Sequence, residues 1–105
     1  MQVLLGNGKS SSDLFQAIQS KNKENFFSLL NSGIEPNAVD GSGVSVLMHS
    51  INSKLPEFVD ALILKGADIE LGDSSGRKPL ALAVSKGDVK IVNMLLKKRA
   101  NLDIS

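Results

Sequence analysis

The chain is 105 residues long, with 42% hydrophobic and 22% charged residues, which fits one globular domain with a single modest core. It contains no cysteine, which excludes disulfide bonds, thiolate metal sites and cysteine nucleophiles. Its formal net charge of +1 and its lack of Trp and Tyr predict no binding to nucleic acid. No apolar run approaches the about 20 residues of a membrane-spanning helix, so we expect a soluble intracellular protein, cytoplasmic or nuclear, without membrane insertion.

The first candidate motif is the N-terminal stretch LLGNGKSSS, residues 4–12. Gly8-Lys9-Ser10 matches the end of a phosphate-binding loop, whose backbone N–H groups curl around a phosphate. That motif requires a glycine at the position of Val3, and only two residues precede Val3, too few for the strand that presents such a loop. The stretch therefore argues against a nucleotide site.

The predicted helices come in pairs that recur after a shift of 33 residues, without insertion. The first helix of each pair has apolar residues at i and i+4 with a small residue at i+3: Leu14/Ala17/Ile18, Leu47/Ser50/Ile51 and Leu80/Ala83/Val84. The second helices have the same spacing: Phe26/Leu29/Leu30, Val59/Leu62/Ile63 and Val92/Leu95/Leu96. Such regularity indicates three tandem units that pack side by side.

Glycines and prolines mark the limits of these helices. Gly33 and Gly66 follow the second helices, where a left-handed residue stops a helix. Pro56 and Pro79 fall in a first helical turn, where a missing N–H costs nothing. The connecting residues 35–43 and 68–76 are rich in Asp and Gly and predict tight reversals.

Residues 73–103 and 40–70 resemble the ankyrin repeat, a unit of 33 residues with the hallmark Thr-Pro-Leu-His-x-Ala, and residues 7–37 are a weaker copy. The resemblance implies an all-α repeat protein, an ankyrin-type solenoid of helix-turn-helix units joined by β-hairpin-like loops. We place repeat 1 at residues 7–38, repeat 2 at 39–71 and repeat 3 at 72–105. A compact bundle of three helical hairpins is the alternative, which the equal lengths and in-phase glycines disfavour.

The units depart from the family pattern at three kinds of position. The threonine before the first helix is replaced by Ser12, Ser45 and Lys78, which predicts hydroxyl caps in repeats 1 and 2 but not in repeat 3. The histidine is replaced by Phe15, Met48 and Ala81, so we expect its loop-bridging hydrogen bonds to be lost. Arg99 replaces the helix-ending glycine. These changes predict a correctly folded array of modest stability.

Candidate chemical sites have simpler structural interpretations. His49 is the only histidine, and we expect it to pack or hydrogen-bond between repeats. The 11 acidic residues are scattered and form no metal-ligand set. Repeat 2 has two lysines against five acidic residues, a net charge of −3, whereas repeat 3 has seven basic against three acidic residues, a net charge of +4. Residues 97–99 are all basic; we interpret them as a cationic helix C-terminus, with contact to an acidic partner as the alternative.

The resemblance implies recognition of a protein partner without catalysis or a cofactor, through loop tips and the exposed ends of the first helices. Carried onto this chain, the partner-binding positions are Lys9, Ser11, Gln19, Ser20, Gly41, Ser42, Val44, Asn52, Ser53, Ser74, Ser75, Arg77, Ser85 and Lys86. Val44 and Arg77 are expected to be the main anchors, because exposed apolar and guanidinium groups bind better than serines. Asn37 lies where the asparagines of some ankyrin repeats are hydroxylated.

Two other functions remain open at this point. The chain could be a scaffold segment of a larger signalling or regulatory protein whose activity lies elsewhere, since Leu82, Val84, Ile91 and Met94 resemble an internal unit that expects a neighbour. A small enzyme or nucleotide binder is the third hypothesis. We expect a monomer, with self-association through repeat 3 as the alternative.

Overall fold

The computed structural model describes residues 11–104, with side chains up to residue 100. These residues form six α-helices and no strand: α1 (Ser11–Ser20), α2 (Lys23–Asn31), α3 (Val46–Asn52), α4 (Pro56–Leu64), α5 (Pro79–Lys86) and α6 (Val89–Ile104). The stretch Gly8-Lys9-Ser10 lies outside the described residues.

The helices form three pairs that stack in a row. Within each pair the two helices pack on each other, α1 on α2, α3 on α4 and α5 on α6. Between pairs, α3 lies between α1 and α5, and α4 lies between α2 and α6. First helices therefore make one layer and second helices another, in an elongated array of 46 × 29 × 22 Å. The predicted all-α solenoid of helix-turn-helix units is confirmed.

The helix limits follow local sequence signals. The Ser45 hydroxyl accepts a hydrogen bond from the Met48 N–H at 3.0 Å, which caps α3 as predicted. Lys78 makes no side-chain cap, and α5 instead begins with Pro79, a residue suited to the first helical position. Ser12 does not precede its helix, because α1 begins at Ser11; the predicted position of that cap is wrong.

Helix ends differ between the last pair and the other two. Gly33 and Gly66 follow α2 and α4 with φ of +99° and +92°, the left-handed conformation that glycine adopts readily. Arg99 has the equivalent position in repeat 3, and α6 runs through it to Ile104. Residues 97–99 therefore lie inside a helix of 16 residues, and our interpretation of them as a helix C-terminus is wrong. A side chain at position 99 penalises the left-handed stop, so the helix continues.

A single core runs through the stack. Its members include all the predicted apolar stripe residues of α1, α2 and α3, with Ser50 buried among them. The Ser50 hydroxyl donates to the Val46 carbonyl at 3.1 Å, so this buried hydroxyl is paired. In the last pair, Ala83 and Leu95 are buried as predicted, but Val84 and Leu96 are 61% and 46% exposed. The core therefore ends abruptly on the outer side of repeat 3.

The connecting loops reverse direction like short hairpins. In repeat 2, Val39 and Ser45 form an isolated antiparallel bridge. The Asp40 carboxylate accepts hydrogen bonds from the N–H groups of Ser42 and Val44, at 2.9 and 3.0 Å. In repeat 3, Asp73 accepts from Ser75 and Arg77 in the same way, both at 2.9 Å. An aspartate thus organises each of these two loop tips.

Candidate interaction surface

Most of the predicted partner-binding residues are exposed in the structure. Gln19, Ser20, Asn52 and Ser85 are exposed at the ends of the first helices, and Gly41, Ser42, Ser74, Ser75 and Arg77 are exposed at the loop tips. Ser11, Ser53 and Lys86 are half-buried. Lys9 lies outside the described residues. We call residues 41–44 and 74–77 the loop-tip surface.

The two loop tips of this surface contact each other. The Ser74 hydroxyl donates a hydrogen bond to the Ser42 carbonyl at 3.1 Å. Gly43 lies so close to this contact that a Cβ on it would come 3.2 Å from the Ser74 Cβ, and its φ is +80°. A residue with a side chain would therefore be strained twice at position 43. Repeats 2 and 3 present a continuous surface rather than two separate loops.

Val44 and Arg77 differ in how far they are available to a partner. Val44 is half-buried and packs against the core, so the expectation that it is an exposed apolar anchor is wrong. The Arg77 side chain is 51% exposed, while its Asp73 partner is 9% exposed, with Nε and Oδ2 3.6 Å apart. An ion pair of this length, with half of the arginine side chain in solvent, holds the guanidinium weakly, so Arg77 can turn toward a ligand.

His49 joins the loop of repeat 2 to its first helix. Its Nε2 lies 2.7 Å from Oδ2 of Asp40, and its ring meets the ring of Phe15 edge-on at 5.0 Å. The hydrogen bond from His49, followed by those from Val44 and Ser42, holds the pKa of the Asp40 carboxyl below its usual value of 3.8. The loop-bridging bond that we expected to be lost is therefore supplied by the residue after Met48.

Asn37 makes a second link between loops that the sequence did not predict. Its Oδ1 accepts a hydrogen bond from the Asp68 N–H at 2.6 Å, across a separation of 31 residues. The repeat shift places Glu70 and Asp103 at the equivalent positions. The sequence carries no signal for this contact, because a carboxylate at position 37 could accept the same hydrogen bond. Its hydroxylation stays a prediction.

Comparison with protein families agrees with this architecture. The family model described as ankyrin repeats in three copies matches residues 14–105. The chain belongs to the ankyrin repeat family. Ankyrin repeats are generally protein–protein interaction modules, and the family is not a catalytic one. A search of curated proteins found no significant match. The boundaries that we set for the three ankyrin repeats stay predictions.

The second helices of ankyrin repeats 1 and 2 enclose a groove on the other side of the array. Its volume is about 560 Å³, and it is lined by Phe27, Leu30, Asn31, Glu57, Asp60, Ala61, Leu64 and Lys65. Lys23 closes over its rim by pairing with Glu57, Nζ to Oε1, at 2.9 Å. Both partners are about half exposed or more, so this ion pair contributes little to stability.

Metal-ligating side chains are dispersed in the described part of the ankyrin array. Within residues 11–100, no three His, Cys, Asp or Glu side chains are close enough together to hold a metal ion. No helix in the described part of the chain has the length and apolar character needed to cross a membrane.

Proposed function

We propose that this ankyrin array binds a protein partner through the loop-tip surface and the adjoining exposed ends of α1, α3 and α5. The observation that carries the proposal is the mutual support of the two loop tips, Ser74 to Ser42 at 3.1 Å. Each tip is also held from below by its own aspartate. A surface already ordered in this way loses little conformational entropy when it binds.

Arg77 is the residue of this surface best suited to anchor a partner. Arginine is enriched among the residues that dominate binding energy at interfaces. It offers five donors in a planar fork, which suits carboxylate and carbonyl groups of a partner. Because its own carboxylate partner lies at 3.6 Å and beneath it, the outer donors remain available. The exposed hydroxyls of Ser42 and Ser75 can supply further adaptable hydrogen bonds around it.

The test compares the two arginines of the chain. Arg77 and Arg99 are 51% and 55% exposed, and each has one weak ion pair to a described residue, at 3.6 and 3.8 Å. Wild type, Arg77→Ala and Arg99→Ala would be used to capture proteins from a cell extract, and the dissociation constant of each captured protein would be measured by calorimetry. We expect Arg77→Ala to weaken binding at least about tenfold and Arg99→Ala to leave it unchanged, with melting temperatures equal among the three.

The second candidate function is that of a scaffold segment in a larger protein, and it predicts that Arg77→Ala leaves binding unchanged. If the array only joins other parts of a larger protein, no captured protein will depend on Arg77. The observation that favours this candidate is the exposure of Val84 and Leu96, at positions buried in repeat 1. If Arg77→Ala lowers the melting temperature together with the affinity, Arg77 supports the fold and the loop-tip proposal is wrong.

A further inference from the structure

The two ends of the ankyrin array differ in chemistry. His49 and Phe58 of repeat 2 contact the preceding repeat, through Phe15 and by stacking on Phe26 with ring centroids 4.4 Å apart. The equivalent residues of repeat 3, Leu82 and Ile91, are buried. In repeat 1 the same positions are Gln16 and Asn25, which are polar and exposed. The N-terminal side of repeat 1 is therefore polar at both of these positions.

The opposite side of repeat 3 has no such polar surface. Val84 is 61% exposed, whereas its equivalents Ile18 and Ile51 are 2% and 0% exposed. Leu96 is 46% exposed, whereas its equivalent Leu30 is 4% exposed.

In repeats 1 and 2, helices of the following repeat pack against the helices that carry these positions, α3 on α1 and α5 on α3. Val84 and Leu96 thus continue a row of side chains that elsewhere in this chain is covered by a pair of helices.

Basic side chains border this row on α6. Val89 is 70% exposed, and it shares a side of the helix with Leu96, seven residues later. Lys90 and Lys97 are also seven residues apart, on the adjacent side. Neither lysine has a salt bridge within the described residues. We call Val84, Val89 and Leu96 with Lys90 and Lys97 the open face.

We propose that the open face binds a helical segment of another protein that has an apolar stripe flanked by acidic residues. The apolar part follows from Val84 and Leu96, because their equivalents Ile18, Ile51 and Leu30 are buried under helices of the following repeat. The acidic part follows from Lys90 and Lys97, which have no salt bridge to any described residue, and from the net charge of +4 on repeat 3, which attracts acidic partners and repels basic ones. This surface is separate from the loop tips and does not depend on their proposed function.

A second copy of the chain fits this face poorly in either orientation. A symmetric pair formed by two open faces would bring the lysines of both copies together. A head-to-tail pair would place the apolar row against Gln16 and Asn25, the polar side of repeat 1. The symmetric pair therefore brings like charges together, and the head-to-tail pair leaves apolar side chains against polar ones.

The test uses two synthetic helical peptides that share one leucine stripe, with spacings of three and four residues. One peptide has glutamates beside the stripe and the other has lysines. Fluorescence anisotropy would measure their binding to the whole chain. We expect the glutamate peptide to bind at least about tenfold more tightly than the lysine peptide, and Leu96→Ser to weaken it by a similar factor.

Charge reversal makes the test specific to this face. In the double variant Lys90→Glu/Lys97→Glu, the preference should change to the lysine peptide. Lys65→Glu, which reverses an exposed lysine on the groove side, should keep the preference for the glutamate peptide. Circular dichroism would establish that all variants fold. Equal binding of both peptides, or an unchanged preference in the double variant, would overturn the proposal.

Two further measurements test whether a second copy of the chain or a lipid surface binds the open face instead. Light scattering on the wild type should give the mass of a monomer; a dimer that Leu96→Ser dissociates would show that the face binds its own copy. Vesicles of phosphatidylserine should not sediment the chain. If they do, and the glutamate peptide does not bind, the face recognises an anionic lipid surface and our proposal is wrong. Absence of binding to both peptides and vesicles also overturns it.

Discussion

Repeats 2 and 3 are built from the same residue pattern but lie in different surroundings. Repeat 2 has a helical neighbour on each side, and its second helix α4 stops after nine residues, before Gly66. Repeat 3 has a neighbour on one side only among the described residues, and its second helix α6 continues for 16 residues. The two repeats show that an apolar residue is buried where a neighbouring repeat covers it. They also show that the residue at the stop position decides the length of the second helix.

The loops of the two repeats also differ in how they are joined to their first helices. Asp40 and Asp73 are equivalent, and each holds its loop tip through backbone N–H groups. Asp40 is also bonded to His49 on α3. In repeat 3 the residue equivalent to His49 is Leu82, and the side chain with which Asp73 pairs among the described residues is the nearby Arg77. Repeat 2 therefore has a direct side-chain link between loop and helix, where repeat 3 has an ion pair confined to its loop.

The largest expected effect comes from truncating equivalent apolar residues. Ile51→Ala should destabilise the fold by about 2–5 kcal/mol, because Ile51 is fully buried and its truncation leaves a cavity. Val84→Ala should cost less than about 0.5 kcal/mol, since Val84 is 61% exposed. Urea unfolding followed by circular dichroism would measure both. Equal losses would mean that the outer side of repeat 3 is covered in solution.

An intermediate effect is expected from exchanging the residues at the helix stop. Gly66→Arg should cost about 1–3 kcal/mol, because φ of +92° is strained for a residue with a side chain. The helix cannot simply continue there, since Ala67 and Ile69 are buried just beyond it. The measurement is again urea unfolding.

The reverse exchange serves as the control for that variant. Arg99→Gly should lower the helical signal in circular dichroism, because a glycine at this position lets α6 stop early. Its effect on the free energy of unfolding should stay near 1 kcal/mol or below. If Gly66→Arg is as stable as the wild type, the left-handed stop is not what limits α4.

The smallest effect concerns the Asp40 carboxylate and its dependence on pH. The pKa of Asp40 is lowered in the folded state, mainly by the hydrogen bond from His49, so ionised Asp40 stabilises the fold above its ordinary pKa of 3.8. This contribution is lost as the pH falls through the lowered pKa. Asp40→Asn should therefore be less stable than wild type near neutral pH, and the difference should shrink in acid.

Removing the histidine tests the cause of that shift. Asp40→Asn would also be made in the His49→Gln variant. There it should change the dependence of the unfolding free energy on pH in acid by less, because the largest cause of the lowered pKa is gone. Thermal unfolding at a series of pH values would measure all four proteins. If the two single changes are additive throughout, the hydrogen bond between these side chains is not the source of the pH dependence.

Much of the fold could be predicted from repeated local signals. The apolar stripes of α1, α2 and α3, the positions of Pro56 and Pro79 and the stops at Gly33 and Gly66 were confirmed, because each depends on preferences of a few neighbouring residues. The stripes of the last pair were confirmed only in part, since Val84 and Leu96 are exposed. The sequence shows that position 99 has no glycine, but it does not show where α6 ends, since a helix without a stop ends wherever other contacts oppose it. The exposure of Val44 was overestimated, because a loop residue can still pack against a core formed by distant helices.

The candidate surface could be placed only in outline. Family resemblance located the loop tips, but the hydrogen bond between Ser74 and Ser42 joins residues 32 positions apart and has no local signature. The bond from His49 to Asp40 was also missed, because the family pattern places a histidine one residue earlier and directed attention to Met48. Long-range polar contacts of this kind depend on side-chain orientation, which a residue pattern does not specify.

The sequence by itself determined the unit length, the order of the helices and the family, because a periodic arrangement of apolar, small and left-handed residues leaves few other ways to bury an apolar face. Only the tertiary structure decided which copies of that face are covered. Ile18 and Ile51 are buried and Val84 is not, although the three positions look alike in the sequence. The physical reason is that burial belongs to a pair of neighbouring surfaces, and the last repeat presents its surface with no described neighbour against it.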